Sequence, residues 1–315
     1  MIRRKTLFAG MGGMLLVASL EGGCLASIPE PEMPPRRYAP AEIQPELGNS
    51  VVSNSGVDER NRYRAVLLVE GGQGMCSGTL IAPSLVATAG HCVCLPRAAS
   101  LADSSTGRLI DKATCSPTAK VEVVTYGSGQ SVAREEYIGA VKPHPQIKVL
   151  YNDGNKEVES NADLAVIALK KPLKGVKPIQ LAAEQVRYAQ PVTLVGFGKD
   201  MVKTGADGWR RFGFNEVASI EESGAFFLVG KPVRVRRPYK TKEMVLEREV
   251  ASYSLEGDSG GPCLRARGEA MELVGIAKTF YGGGELVQFS EYTSVYFYRE
   301  WLLQEIARAE KKDTD

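Results

Sequence analysis

Residues Tyr253–Leu264 read YSLEGDSGGPCL, with one serine, Ser259, set between glycine shoulders. Such a stretch is either a tight surface turn or a nucleophile held out on a backbone that glycine alone tolerates. A nucleophilic serine needs a base, and the chain has only two histidines, His91 and His144, both N-terminal to Ser259. Gly257-Asp258-Ser259-Gly260-Gly261 also fits the G-x-S-x-G spelling of an α/β-hydrolase nucleophile elbow. That fold orders its triad as Ser, then acid, then His. No histidine follows Ser259, so the elbow is excluded. A triad built here must run His…Asp…Ser or Asp…His…Ser.

The upstream sequence offers both partners. His91 is the last residue but one of the stretch CSGTLIAPSLVATAGHC, in which Cys76 and Cys92 bracket a strand, a proline turn and a second strand. A disulfide between them would pin the loop that carries the histidine. Taken alone, TAGHC fits a core histidine beside a stapling cysteine equally well. Asp163 opens a strongly apolar strand in NADLAVIALKKPL. A carboxylate there is costly unless it has a partner, and an imidazole N–H is such a partner. The plainer reading is an aspartate capping a turn. His144 lies between Pro143 and Pro145 on an expected loop and is given no catalytic role.

The chain's 315 residues, 43% of them apolar, can bury a full core as one large domain or two packed halves. A net charge of +2 gives no reason to expect a nucleic-acid partner. The basic run KPVRVRRPYK, Lys231–Lys240, alternates valine with arginine and reads as a strand with a solvated face. Residues 1–24 have a basic start and an apolar run from Thr6 to Leu20. That run falls short of the roughly 20 residues of a spanning helix and suits a signal peptide. Export to an oxidising compartment where disulfides persist is therefore expected. Cys24, after Gly22-Gly23, resembles the lipid-modified cysteine of bacterial lipoproteins, although Glu21 stands where such signals carry an aliphatic residue. Two destinations stay open: a lipoprotein of the cell envelope, or a periplasmic or secreted protein. Residues 25–50 hold six prolines and read as a tether or pro-segment. Beyond them, short runs rich in Val, Ile, Leu and Tyr alternate with Gly and Pro, the mark of an all-β sandwich or barrel. One helix is expected at the end, Tyr296–Ala309, with an apolar stripe of Tyr298, Trp301, Leu302, Leu303 and Ile306.

In the order TAGHC, DLAVIAL, GDSGGP, the three stretches resemble the trypsin-like (chymotrypsin-fold) serine peptidases of the bacterial exported type, from about Val51 to Arg308. HPQ at His144, TLVGFGK and EYTSVYFYREWLLQEIA are similar to secondary features of that family. The resemblance implies an all-β fold of two packed six-stranded antiparallel β-barrels with a C-terminal α-helix. The peptidase domain would span 51–315, with a first barrel over about 51–175, a second over about 176–295 and the helix over about 296–310. It further implies His91 as general base and acid, Asp163 as orienter of its tautomer, and Ser259 as nucleophile on a peptide carbonyl. The backbone N–H groups of Gly257 and Ser259 would form the oxyanion hole. Protein or peptide substrates are expected, with no cofactor, no metal, and no membrane contact except through a lipid on Cys24. The oligomeric state is left open.

The departures from the family are specific. Trypsins hold an aspartate six residues before the serine; here Tyr253 stands there, followed by Ser254. The pocket walls fall near Lys278, Thr279, Phe280 and Ser290, where trypsins place small or flat residues. The expected substrate pocket is therefore Tyr253, Ser254, Phe280 and Ser290, with Phe280 narrowing it. Cys76–Cys92 is the first expected disulfide. Cys94 and Cys115 flank a stretch that looks inserted and form the second. Cys263 is either a buried free thiol or a partner of an unlipidated Cys24. Relatives are activated by a cleaved terminus whose ammonium meets the aspartate before the serine, here Asp258; Val51 is spaced for this, but Ser50 precedes it. Two other classes compete: a silent or self-inhibited binding protein on the same fold, and an esterase using the same triad.

Overall fold

The computed structural model describes residues 56–314, apart from 73, 102–104, 129–130, 199–207, 232, 239–244, 251 and 284–285. The signal segment, Cys24, the proline-rich stretch and Val51 lie outside the described residues.

The first half of the chain forms strands β1 (Gly56–Val57), β2 (Val66–Gly71), β3 (Gly74–Ala82) and β4 (Leu85–Thr88), then a short helix α1 (Gly90–Val93). Strands β5 (Arg97–Ser100), β6 (Thr106–Asp111), β7 (Thr118–Tyr126), β8 (Val132–Pro143), β9 (Lys148–Asn152), β10 (Glu157–Asn161) and β11 (Ala165–Leu169) follow. Six of these close into a barrel in the order β11-β4-β3-β2-β7-β8. The seam is the antiparallel β8–β11 pairing, with Ala165 opposite Pro143 and Leu169 opposite Gly139. Val66 to Val69 of β2 are buried without alternation. Such a continuous apolar run marks a strand covered on both faces.

The second half contributes β12 (Gln180–Leu181), β13 (Pro191–Gly196), β14 (Arg211–Ile220), β15 (Phe226–Lys231), β16 (Val233–Pro238), β17 (Val245–Val250), β18 (Pro262–Arg267), β19 (Ala270–Gly283), β20 (Leu286–Ser294) and helix α2 (Arg299–Thr314). Here the ring runs β14-β13-β18-β19-β20-β15 and closes where β15 pairs back onto β14, Phe227 opposite Ile220. Two closed six-stranded antiparallel barrels with a C-terminal helix result, as in the chymotrypsin fold. Closure leaves few edges open to pairing with other chains. Within the basic run, Val233–Pro238 form strand β16, which pairs antiparallel with β17.

One feature goes beyond the sequence reading and one differs from it. The stretch between Cys94 and Cys115, read only as an insertion, carries β5 and β6, which join β9 and β10 in a separate four-stranded sheet, β10-β9-β6-β5. The helix starts at Arg299, three residues later than expected, and runs on to Thr314. Its buried stripe holds Tyr298, Leu302 and Ala309, with Trp301 and Ile306 half-buried, while Leu303 points outward. Glu305 occupies a place in that stripe because its carboxylate is held by Lys142 Nζ at 2.7 Å and by Arg308.

The two halves are joined by a buried ion pair. Arg210, fully buried just before β14, donates from Nε to Asp58 Oδ2 at 2.8 Å. The same guanidinium donates to the Val124 carbonyl of β7 at 3.0 Å and lies over the rings of Tyr126 and Phe197. Asp58 also accepts the N–H groups of Arg62 and Tyr63 at 2.8 and 2.9 Å. The N-terminal segment and both barrels therefore share one charge-assisted junction. Removing one member of such a buried pair strands the other charge, at a cost of about 3–5 kcal/mol. Asp58→Ala should lower unfolding free energy by that amount in urea titrations, and the double change Asp58→Ala/Arg210→Met by distinctly less. A loss below ~1 kcal/mol for the single variant would mean that the junction carries no such burden.

Candidate active site

His91 is the second residue of α1, one turn beyond β4. The preceding Gly90 lets this turn close on Asp163: a Cβ at residue 90 would lie 2.1 Å from Ile147 Cδ1 and 3.1 Å from Asp163 Oδ1. The Cys76–Cys92 disulfide staples the turn to β3. A second disulfide joins Cys94 to Cys115. Both expected pairs are formed.

Asp163 sits two residues before β11 and is buried, with 1% of its surface exposed. Its carboxylate is fully engaged by His91: Oδ1 accepts the backbone N–H at 2.8 Å and Oδ2 faces Nδ1 at 2.7 Å. The segment is held from several sides. Ala162, at φ +45°, gives its N–H to the Tyr298 hydroxyl at 3.1 Å. The Thr293 hydroxyl donates to the Asp163 carbonyl at 3.3 Å, and the Leu164 carbonyl accepts the His144 N–H at 2.9 Å.

Burial alone would pull the His91 pKa down, but the charge and hydrogen bond of Asp163 outweigh it and the imidazole ends above its ordinary value. For Asp163, burial pushes the carboxyl up, and the charge and two hydrogen bonds of His91 bring it below the usual carboxylate range. The pair favours its charged form. A neutral imidazole that gives its Nδ1–H to the carboxylate carries its acceptor lone pair on Nε2.

The Ser259 segment is threaded against the wall that carries His91. Gly257 and Gly260 adopt φ of +95° and +79°. At Gly260 a Cβ would come within 2.2 Å of Thr88 Oγ1 and 2.3 Å of the Ser77 carbonyl oxygen, so glycine is required there for space as well as conformation. Ser77 receives the segment: its N–H donates to the Ser259 carbonyl at 2.7 Å and its hydroxyl to the Gly257 carbonyl at 3.0 Å. Gly260 and Gly261 exchange backbone hydrogen bonds with Ala277 of β19 at 2.7 and 2.8 Å. The N–H groups of Gly257 and Ser259 have no acceptor among the described residues.

Asp258 points away from this surface. It accepts the N–H groups of Gly198 and Leu255 at 2.7 and 2.9 Å, and burial raises its pKa to about 6. It faces a cleft lined also by Gly196, Arg211, Phe212 and Tyr253. β1 pairs with Arg211 and Phe212, so the N-terminal segment enters beside that cleft.

The expected pocket residues are partly gathered. Ser254 donates its N–H to the Ser290 hydroxyl at 2.8 Å and shares a short hydrogen bond with the buried Tyr292 hydroxyl. Phe280 is paired opposite Ser290 and is 39% exposed. Tyr253 is half-buried. His144 packs edge-on against Tyr298 and Trp301, and burial depresses its pKa. Cys263 is a buried free thiol whose pKa burial pushes up, which makes it unreactive. Cys76, His91 and Cys92 bring ligand atoms within 4.8 Å of one another, but both sulfurs are in the disulfide and offer no thiolate to a metal.

Three roles were not read from sequence: those of the Ser77 hydroxyl, the Tyr298 hydroxyl and the Lys278 ammonium. Ser77 is an ordinary strand residue with no local signal, Tyr298 was read only as part of an apolar stripe, and Lys278 only as a pocket wall. Lys278 also carried a signal of its own, as a lone cation in the apolar run ELVGIAKTF. Its Nζ bonds Glu157 at 2.6 Å and Glu291 at 2.7 Å.

Comparison with known proteins agrees with this architecture. The family model described as Trypsin matches residues 51–302. The glutamyl endopeptidase of Bacillus licheniformis is 36% identical over 90 residues, which is 26% of this chain and 26% of that protein. The match thus spans about a quarter of that relative's length. Among solved structures, neuropsin, a serine protease expressed in the limbic system of mouse brain, superimposes with a TM-score of 0.50 at 18% identity, covering 78% of this chain and 96% of its own. That likeness concerns the fold, whereas the family match embraces His91, Asp163 and Ser259 alike. The chain belongs to the trypsin family.

Proposed function

We propose that this protein is an exported serine endopeptidase in which Ser259 attacks a peptide carbonyl and forms an acyl-enzyme. The observation that carries this reading is the His91–Asp163 pair, with its 2.7 Å hydrogen bond on a buried carboxylate. In the proposed reaction His91 Nε2 takes the Ser259 proton as Oγ bonds to the carbonyl carbon, then returns it to the leaving amine. Water then repeats the sequence in reverse and frees Ser259. Asp163 stabilises the imidazolium and fixes the tautomer. The N–H groups of Gly257 and Ser259 are the proposed oxyanion donors, each worth about 3 kcal/mol in the transition state. Two disulfides are consistent with an oxidising compartment, and among the described residues no helix is long and apolar enough to cross a membrane. Residues 1–24 are the proposed signal, with a lipid on Cys24 as one outcome of export, and residues 51–315 the proposed peptidase domain.

Asp258 bears on activation. A buried carboxyl with its pKa raised to about 6 becomes destabilising as pH rises through that value, because its folded-state pKa lies above the unfolded one. An ammonium placed in the cleft beside it would remove that penalty. A new terminus at Val51 is the proposed source.

The triad assignment is tested on the purified mature chain. Its mass and first residue separate an acylated Cys24 from simple secretion or cleavage before Val51. A fluorophosphonate should then add once, at Ser259: the Oγ–P bond forms, fluoride leaves and the proton passes to His91. The rate should rise as pH climbs through the raised His91 pKa, since only the neutral imidazole accepts a proton. Ser259→Ala should abolish labelling and His91→Ala should slow it roughly 10⁴-fold or more. His144→Ala should leave it intact. The reverse outcome for the two histidines would overturn the assignment.

Substrate choice follows from the uncharged lining proposed for the pocket: Tyr253, Ser254, Phe280 and Ser290. A buried Arg or Lys side chain would meet no counter-charge at Tyr253, at a cost of several kcal/mol, and Phe280 would crowd large aromatic side chains. Cleavage-site mapping on a denatured proteome should find small or medium uncharged residues before the cut bond. A majority of cuts after Arg or Lys would place an acidic residue in the pocket and refute this lining.

A further inference from the structure

Lys278 follows Ala277, the residue whose backbone exchanges hydrogen bonds with Gly260 and Gly261. Its side chain is 2% exposed and lies over the Phe226 ring, 4.5 Å from the centroid. A buried ammonium is costly unless its donors are taken up. Here the takers are Glu157 Oε1 at 2.6 Å and Glu291 Oε1 at 2.7 Å. Glu291 is held in turn by the Tyr281 hydroxyl. Both carboxylates lead to Asp163. Glu157 opens β10, which ends at Asn161, two residues before it. Glu291 stands two residues before Thr293, whose hydroxyl donates to the Asp163 carbonyl. One ammonium thus ties the strand that grips the Ser259 segment to the segment that carries Asp163 and to the strand that hydrogen-bonds it. The family resemblance implies small or flat residues near this place, so a lysine there is a departure of this chain.

We propose that Lys278 is a positioning residue for the reaction, its ammonium clamped by Glu157 and Glu291 so that Asp163 and His91 stay in register with Ser259. The inference rests on the peptidase reading above. The cluster also acts on His91 through its charge. The groups that face the imidazole are Asp163 ahead of β11, Glu157 on β10 and Lys278 on β19, with Tyr151 of β9 against Asp163 and Glu157. Asp163 and Glu157 favour the imidazolium, while Lys278 disfavours it. A merely structural lysine would leave the protonation of His91 unmoved.

Glu157, Glu291, Lys278, Tyr281 and Phe226 line an open cleft of about 470 Å³ that a peptide could enter. The probe must therefore be too small to fill it. Diisopropyl fluorophosphate reacts at the nucleophile, base and oxyanion donors without needing that cleft, so its rate against pH reports the register and the His91 pKa. On the full chain, Lys278→Met should lower the plateau rate roughly tenfold and move the acidic limb to higher pH. Glu157→Gln should move that limb to lower pH, the opposite sense. Folded variants whose plateau rates and limbs coincide with wild type would overturn the proposal, as would shifts of both limbs in one direction. If Lys278→Met fails to fold, Glu157→Gln decides alone: a lowered limb supports the clamp and an unmoved or raised limb refutes it. If the wild-type chain proves inert to the reagent, the peptidase reading fails. The His91 titration followed by NMR in the same variants then still decides the clamp, with the same opposed shifts expected.

Discussion

A carboxylate buried at the seam between two barrels must find a partner or lose its charge, and Asp163 finds His91. Everything near the site serves that requirement. Gly90 clears the space for the turn, Tyr298 and Thr293 hold the backbone of the Asp163 segment, and the Cys76–Cys92 disulfide keeps α1 from swinging away. A few kcal/mol of desolvation on each charge is offset by two hydrogen bonds to one imidazole residue. The same burial that makes the pair costly also strengthens it, because solvent screens it little.

The seam holds two further buried cations, and each joins segments far apart in sequence. Arg210 meets Asp58 and carbonyls of the first barrel, linking the N-terminal segment to the entrance of β14. Lys278 meets Glu157 and Glu291, linking β19 to both neighbours of Asp163. Apolar side chains would fill such spaces at lower desolvation cost, but they would not fix strand register to within a hydrogen bond. In the proposed reaction, a misregister of the Ser259 segment by even 1 Å would cost on the order of a hundredfold in rate.

Much of this was legible in the chain itself. Both histidines precede Ser259, so elimination required any base for that serine to lie N-terminal to it, and left the orders His…Asp…Ser and Asp…His…Ser open. The barrels were foreshadowed by short apolar runs such as VLLVE and LAVIAL, and the two disulfides by cysteines flanking a histidine loop and an inserted stretch. What stayed hidden depends on contacts across long sequence distance. The four-stranded sheet β10-β9-β6-β5 joins strands from both sides of β7 and β8, and its members are half-exposed, without a strong apolar period. Leu303 looked like part of the helix stripe, but Glu305 took a buried place because Lys142 lay opposite. Lys278 carried a visible signal, a cation in an apolar strand, yet its partners Glu157 and Glu291 are 121 and 13 residues away.

With two histidines in the chain, the central claim can be read directly by NMR on protein labelled with ¹⁵N-histidine. In the wild type, His91 should titrate above the ordinary imidazole value of about 6.5, and Asp163→Asn should drop it below that value, because burial then acts without the charge and hydrogen bond that outweigh it. His144 should titrate below the ordinary value in both proteins. A wild-type His91 that titrates at or below 6.5, or one that Asp163→Asn leaves unmoved, would contradict the account.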